Sequence, residues 1–124
     1  MLAGCAPRDG AMTCAAPLRP AVEVNLYFGR GVPGGGEVSD AAWTSFLAEV
    51  VTPRFPAGLS VLEVEGQHRD RAGTIGRERT KLVVVVVPDP PSHRPRVGEI
   101  VDAYVRRFGQ EAVFQVERPV CAGL

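Results

Sequence analysis

The sequence has little in its composition to commit it to a class of partner. Its 14 Lys and Arg are balanced by 14 Asp and Glu, so no net charge draws it to nucleic acid or to an anionic bilayer. The longest apolar run is Leu82-Val83-Val84-Val85-Val86-Val87, far short of the roughly 18 residues a membrane-crossing helix needs. Membrane contact is expected only through a lipid anchor. The 2 histidines, His68 and His93, have no Cys/His spacing suited to zinc, and no metal or cofactor is expected. Residues 29–34 do read Gly-x-Gly-x-x-Gly, but the next helix starts near Ser39, too late for the third glycine to open it beneath a pyrophosphate. A chain of 124 residues is also short for paired βαβαβ halves, and no Lys-Ser or Lys-Thr follows to make a P-loop. That loop reads as a connector.

Cysteine is scarce but informative. Leu2-Ala3-Gly4-Cys5 resembles a bacterial lipobox and points to acylation at Cys5, with the rest of a signal peptide upstream of Met1. Cys14 and Cys121 then remain as an even pair flanking the first and last strands, and a disulfide between them is expected in an oxidising compartment. The expected location is the cell envelope, lipid-anchored or periplasmic or extracellular. If Met1 is the true start, the alternative is a cytoplasmic protein with free thiols.

What is present is a clear sequence of periods. Residues 1–20, with Pro7, Gly10, Pro17 and Pro20, read as a flexible tether, and residues 21–121 as one α+β domain. Val22 to Phe28 alternates as a half-buried strand. Ser39 caps a helix whose apolar stripe is Trp43, Phe46, Leu47, Val50 and Val51, ended by Thr52-Pro53. Leu59 to Val87 forms a β-hairpin with its tip at Asp70-Arg71-Ala72-Gly73-Thr74. Pairing Asp70 with Thr74 sets Gln67 against Arg77, Glu65 against Arg79 and Glu63 against Lys81, whereas a slip of one residue opposes Glu65 to Glu78. A second helix carries Val97, Ile100, Val101, Tyr104 and Phe108 on one side, with Gly109 past its end. Ala112 to Glu117 alternates as a last strand, after which the tail from Arg118 is expected to leave the sheet.

The order βαββαβ predicts a ferredoxin-like sandwich, an antiparallel sheet with two helices on one face. Leu26, Phe28, Leu62, Leu82, Val84 and Phe114 are expected to meet the helices. Tyr27, Val61, Val83, Val85, Val87 and Val113 are expected on the open face, there to be covered by a second copy in a homodimer.

Several stretches together resemble a known family: Arg30, Val38-Ser39-Asp40-x-x-Trp43, Val51-Thr52-Pro53-Arg54-Phe55-Pro56-x-Gly58-Leu59, Gly66-Gln67-x-Arg69-Asp70 and Phe108-Gly109-Gln110-Glu111. They are similar to the bacterial domain-of-unknown-function family numbered 3574, over roughly residues 20–121. His68 stands where the family pattern has a tryptophan. The resemblance implies exported, lipoprotein-like relatives and brings no activity with it.

Chemistry is sought at the polar end of the hairpin. His68 and Glu78 share a face on a diagonal and are the candidate catalytic pair. Arg30, Gln67, Arg69, Arg77 and Arg79 are candidate ligand contacts for an anion. Ser39 and Ser92 are explained as helix caps. The expected function is a non-catalytic, envelope-associated binding or accessory domain. The alternative is a small cofactor-independent enzyme with its site near the hairpin tip.

Overall fold

Branched apolar residues alternating with polar ones make four strands, and two stripes at helical spacing cover one side of them. The computed structural model describes residues 13–88 and 92–124; Cys5 and most of the expected tether lie outside that range. The elements are β1 (Arg19–Gly29), α1 (Asp40–Phe46), β2 (Ser60–Arg69), β3 (Ile75–Pro88), α2 (Arg94–Phe108) and β4 (Phe114–Ala122). The antiparallel sheet has the order β2-β3-β1-β4, so the first and third strands are central. This is the expected α+β sandwich.

The hairpin register is as the charges require. Glu63 pairs with Lys81, Glu65 with Arg79 and Gln67 with Arg77. At the tip the Asp70 amide donates to the Thr74 carbonyl at 2.9 Å, and Gly73 takes φ +85°, which favours glycine.

The helices differ from expectation in one respect. Ser39 Oγ accepts from the Ala42 amide at 3.1 Å and caps α1. Beyond Phe46 the helix widens into a π turn over Leu47–Val51, where the Thr52 amide reaches back to Leu47. It then tightens to a 3-10 turn over Thr52–Arg54 that contains Pro53. Arg54 Nη1 donates to the Val50 carbonyl at 2.9 Å, satisfying an acceptor freed where the ladder ends. α2 has Pro95 in its first turn and stops at Gly109 in the left-handed region.

Two expectations about the sheet are corrected. The first concerns its faces. Leu26 pairs with Val83 and Tyr27 with Leu82, while Tyr27 also pairs with Phe114. Val83, Val85, Val87 and Val113 are therefore buried with Val24, Leu26 and Phe28, not on the open face. Val61 pairs with Val83 and shares its side. Of the residues assigned to the interface, only Tyr27 stands on the open face, where Leu62, Leu82, Val84 and Phe114 join it. The second concerns β4, which does not end at Glu117 but pairs with β1 to Ala122. An edge strand tolerates Pro119, because one row of its amides has no partner to lose.

Above the core face, Tyr104 sits among Phe28, Phe46 and Phe108, with ring centroids 4.9, 5.1 and 4.9 Å away. Trp43 packs on Phe28 at 5.2 Å.

Cys14 and Cys121, 107 positions apart in the sequence, form a disulfide with their Cα atoms 5.7 Å apart. Residues 13–20 are thus held to the sheet, and β1 begins inside the stretch read as tether. Closing a loop of this size should contribute up to about 4–5 kcal/mol in the chain-entropy model. Urea unfolding of Cys14→Ser/Cys121→Ser is expected to show a loss of that order. A change within error of zero would mean the bridge constrains nothing.

Candidate functional site

The open face of the sheet falls into rows set by the pairing. Phe114, Tyr27, Leu82 and Leu62 form one row, and Gly29, Thr80 and Val64 the next. Glu78 stands opposite Gly66, and His68 opposite Gly76. Where the glycines fall, the surface sinks into a depression of about 1100 Å³ lined by Tyr27, Gly29, Gly66, His68, Glu78, Thr80 and Phe114, among others. Tyr27 and Phe114 pair at its rim with centroids 5.6 Å apart.

The glycines make room for one carboxylate. A Cβ on Gly29 would lie 2.6 Å from Glu78 Oε1, and one on Gly31 2.8 Å from Oε2. Without those side chains Glu78 folds onto the end of β1, and Oε2 accepts from the Gly31 amide at 2.9 Å. The strand end beneath it is pinned from the helix side. Tyr104 donates its hydroxyl to the Gly29 carbonyl at 2.6 Å, and Gln110 Nε2 donates to the Gly31 carbonyl at 2.8 Å. Burial, with the Glu78 charge adding to it, holds the Tyr104 phenol well above its ordinary range. It acts as a fixed donor.

Alternation divides the residues singled out in the sequence. His68 and Glu78 flank the same depression, but Glu78 turns toward Gly31. Arg69, Arg77 and Arg79 are odd-numbered and point to the other side, as does Gln67, which still reaches the depression's edge. Arg77 and Arg79 line an adjoining dent of about 710 Å³ with Glu37, Glu65 and Glu78. Arg79 is already paired with Glu37.

Arg30 is not a ligand contact. Its side chain is 0 % exposed. Nε donates to the Val38 carbonyl at 2.9 Å, Nη1 to Glu63 at 2.9 Å and Nη2 to Asp40 at 2.8 Å. Each of its three nitrogens donates within the fold. Glu63 also faces Lys81 at 3.5 Å, and Glu37 lies 3.5 Å from Arg30, so the acids and bases alternate around the buried guanidinium.

Sequence reasoning missed three kinds of residue. Tyr27 and Phe114 became a rim only once the strands were in register. Gly29 and Gly66 carried a readable signal, since glycine inside a strand often marks a close approach. The third is His93, which is fully buried, with Nε2 2.6 Å from Glu117 Oε1. Its Nδ1 has no partner among the described residues. This pair sits at the start of α2, a helix length from the depression. No group of three or more potential metal ligands occurs among the described residues.

A family model described as "Protein of unknown function (DUF3574)" matches residues 23–124. The chain belongs to that family. No curated protein matches it significantly. Among solved structures it is similar to a phage SAM lyase in complex with S-methyl-5′-thioadenosine, with a TM-score of 0.61 and 13 % identity. The likeness covers 84 % of this chain and 90 % of that one. At that identity it shows a shared fold.

Two outcomes test the electrostatics. Arg30→Met is expected to cost about 2–3 kcal/mol, less than the 3–5 typical of a stranded buried charge, because the half-exposed acids it leaves can rehydrate. Arg30→Lys should recover less than half, since an ammonium cannot replace the fork. A near-neutral Arg30→Met in urea unfolding would show that the network does not support the fold. The second is acid sensitivity. The His93 hydrogen bond, helped by the Arg94 charge, holds Glu117 below its ordinary 4.5. A carboxylate held low in the folded state stabilises above its unfolded value and loses that contribution as pH falls through the range below it. Glu117→Gln should therefore be less stable than wild type at neutral pH and closer to it below about pH 4. Parallel stability curves would remove His93–Glu117 as a source of acid sensitivity.

Proposed function

We propose that this domain binds a small organic molecule in the open-face depression, as a non-catalytic binding module of the cell envelope. The observation that carries this reading is Glu78. A half-buried carboxylate is costly unless it has partners, and here one oxygen takes the Gly31 amide while Oε1 has no hydrogen bond among the described residues. Beside it stand the Thr80 hydroxyl and the Tyr27–Phe114 pair. Such a site suits a ligand with a flat ring to lie on the aromatics and a cationic or hydroxyl group to meet Glu78.

The nucleoside seen in the phage SAM lyase has a flat ring and hydroxyl donors. Adenine nucleosides and S-adenosylmethionine are therefore the first compounds to try. The Cys14–Cys121 disulfide supports an oxidising compartment. No helix among the described residues is long and apolar enough to cross a membrane, and attachment would fall to a lipid on Cys5. The second reading, a small enzyme, draws on His68 and Glu78 bordering the same depression. It places the general acid–base pair there.

A thermal-shift screen of nucleosides, sulfonium compounds and small cations tests both readings. A ligand at 100 times its dissociation constant should stabilise by about 2.7 kcal/mol. Glu78→Gln, which can still accept from Gly31, is expected to weaken binding at least about tenfold. A hit indifferent to Glu78→Gln would place the site elsewhere. Turnover of the hit, followed by chromatography and lost in His68→Ala, would favour the enzyme over the binding module.

A further inference from the structure

The open face presents more apolar surface than a solvated sheet face normally does. Tyr27, Leu62, Leu82, Val84, Val86 and Phe114 all stand on it. Phe114 is 68 % exposed, Val86 48 % and Leu62 46 %. A contiguous patch of this kind is uncommon on a monomer and marks a contact surface. We propose that a second copy of this chain covers it, in a two-fold dimer where Phe114 of each copy seats over the glycine floor of the other.

Three features favour a second copy over another occupant. The first is shape. A two-fold interface brings each patch against itself, so any knob needs a matching hole on the same face. Phe114 is the projecting knob, and the dip over Gly66, beside the Glu78 carboxylate that covers Gly29, is the hole. An in-plane axis between the two superposes each knob on the partner's dip.

The second feature is area. Four strands spaced by about 4.8 Å, with about 30 Å of paired length, make a face of roughly 600 Å². Two such faces bury about 1,200 Å², the lower limit of the specific range.

Charge is the third. The charged groups on this face, Arg19, Glu23, Glu78 and Arg118, stand toward its two ends. Arg118 donates to Glu23 at 2.8 Å at one end, and Glu78 accepts from Gly31 at 2.9 Å at the other. No uncompensated charge is stranded in the middle, where desolvation would oppose association. The dimer also completes the binding depression. The partner's Phe114 ring roofs it opposite Glu78 and converts an open dip into an enclosed site, with two sites related by the axis. The interface stands without any ligand; only this roofing role rests on the binding reading.

The test is sedimentation equilibrium on the disulfide-intact chain at micromolar concentration without ligand. A dimer is expected. Phe114→Glu should weaken it at least about 100-fold, as truncating a central aromatic anchor does. Val86→Glu, an exposed position on the same face, should act in the same direction and guards against a Phe114 variant that folds poorly. Glu78→Gln should leave the dimer intact, which separates failure of the interface from failure of the ligand site. A monomeric wild type would overturn the proposal, as would dimers unaffected by both substitutions. Binding of a different protein to a chain that stays monomeric by itself would assign the face to that partner instead.

Discussion

Arg30 carries a full charge with no exposure, and the upper end of the domain is arranged to supply it with oxygen. An arginine cannot shed its proton to escape burial, so its position requires acceptors from several places at once. They come from the loop at Val38, from the first residue of α1 at Asp40 and from β2 at Glu63. Backbone bonds add to this: the Arg30 amide donates to Arg79 at 3.0 Å, and its carbonyl accepts from Val38 at 2.7 Å. One residue, through its side chain and its backbone together, thereby joins β1, β2, β3 and α1. The path of the 31–39 loop follows from that junction, and so does the placement of Gly31 against Glu78.

The hairpin was legible in the sequence because its charges are ordered. Only one register pairs Glu63, Glu65 and Gln67 with Lys81, Arg79 and Arg77. The opposite faces of β3 were not legible, and the cause is the same stretch read further along. Five consecutive valines carry no alternation, so shifting β3 by one residue against β1 leaves the apolar pattern unchanged while exchanging its sides. Phe114 went to the wrong face because nothing in the short β4 pattern shows that it pairs with Tyr27. The α1 stripe was readable, but its π widening was not, since it depends on where Pro53 forces the ladder to end.

The candidate site shows the same divide. His68 and Glu78 lie on one face because strand alternation is local arithmetic. Arg30 looked like an anion contact because its acceptors lie 8, 10 and 33 residues away, distances over which a sequence gives no hint of approach. The glycines of β1 and β2 are the reverse case. Each is unremarkable alone, and together they clear one floor across three strands. Glu78, Tyr104 and Gln110 then fix the end of β1 beneath that floor from opposite sides.

The Cys14–Cys121 bridge also gives the domain a direction. It lies where β1 begins and β4 ends, whereas the depression opens past the other end of β1, about 30 Å away at strand rise. Thr13 lies against Cys121 and Gly123 against Pro17 and Leu18, all at the bridged corner. Any attachment made upstream of Cys14 would therefore hold the domain by its base and present the Glu78 end outward, like a lamp on a stalk.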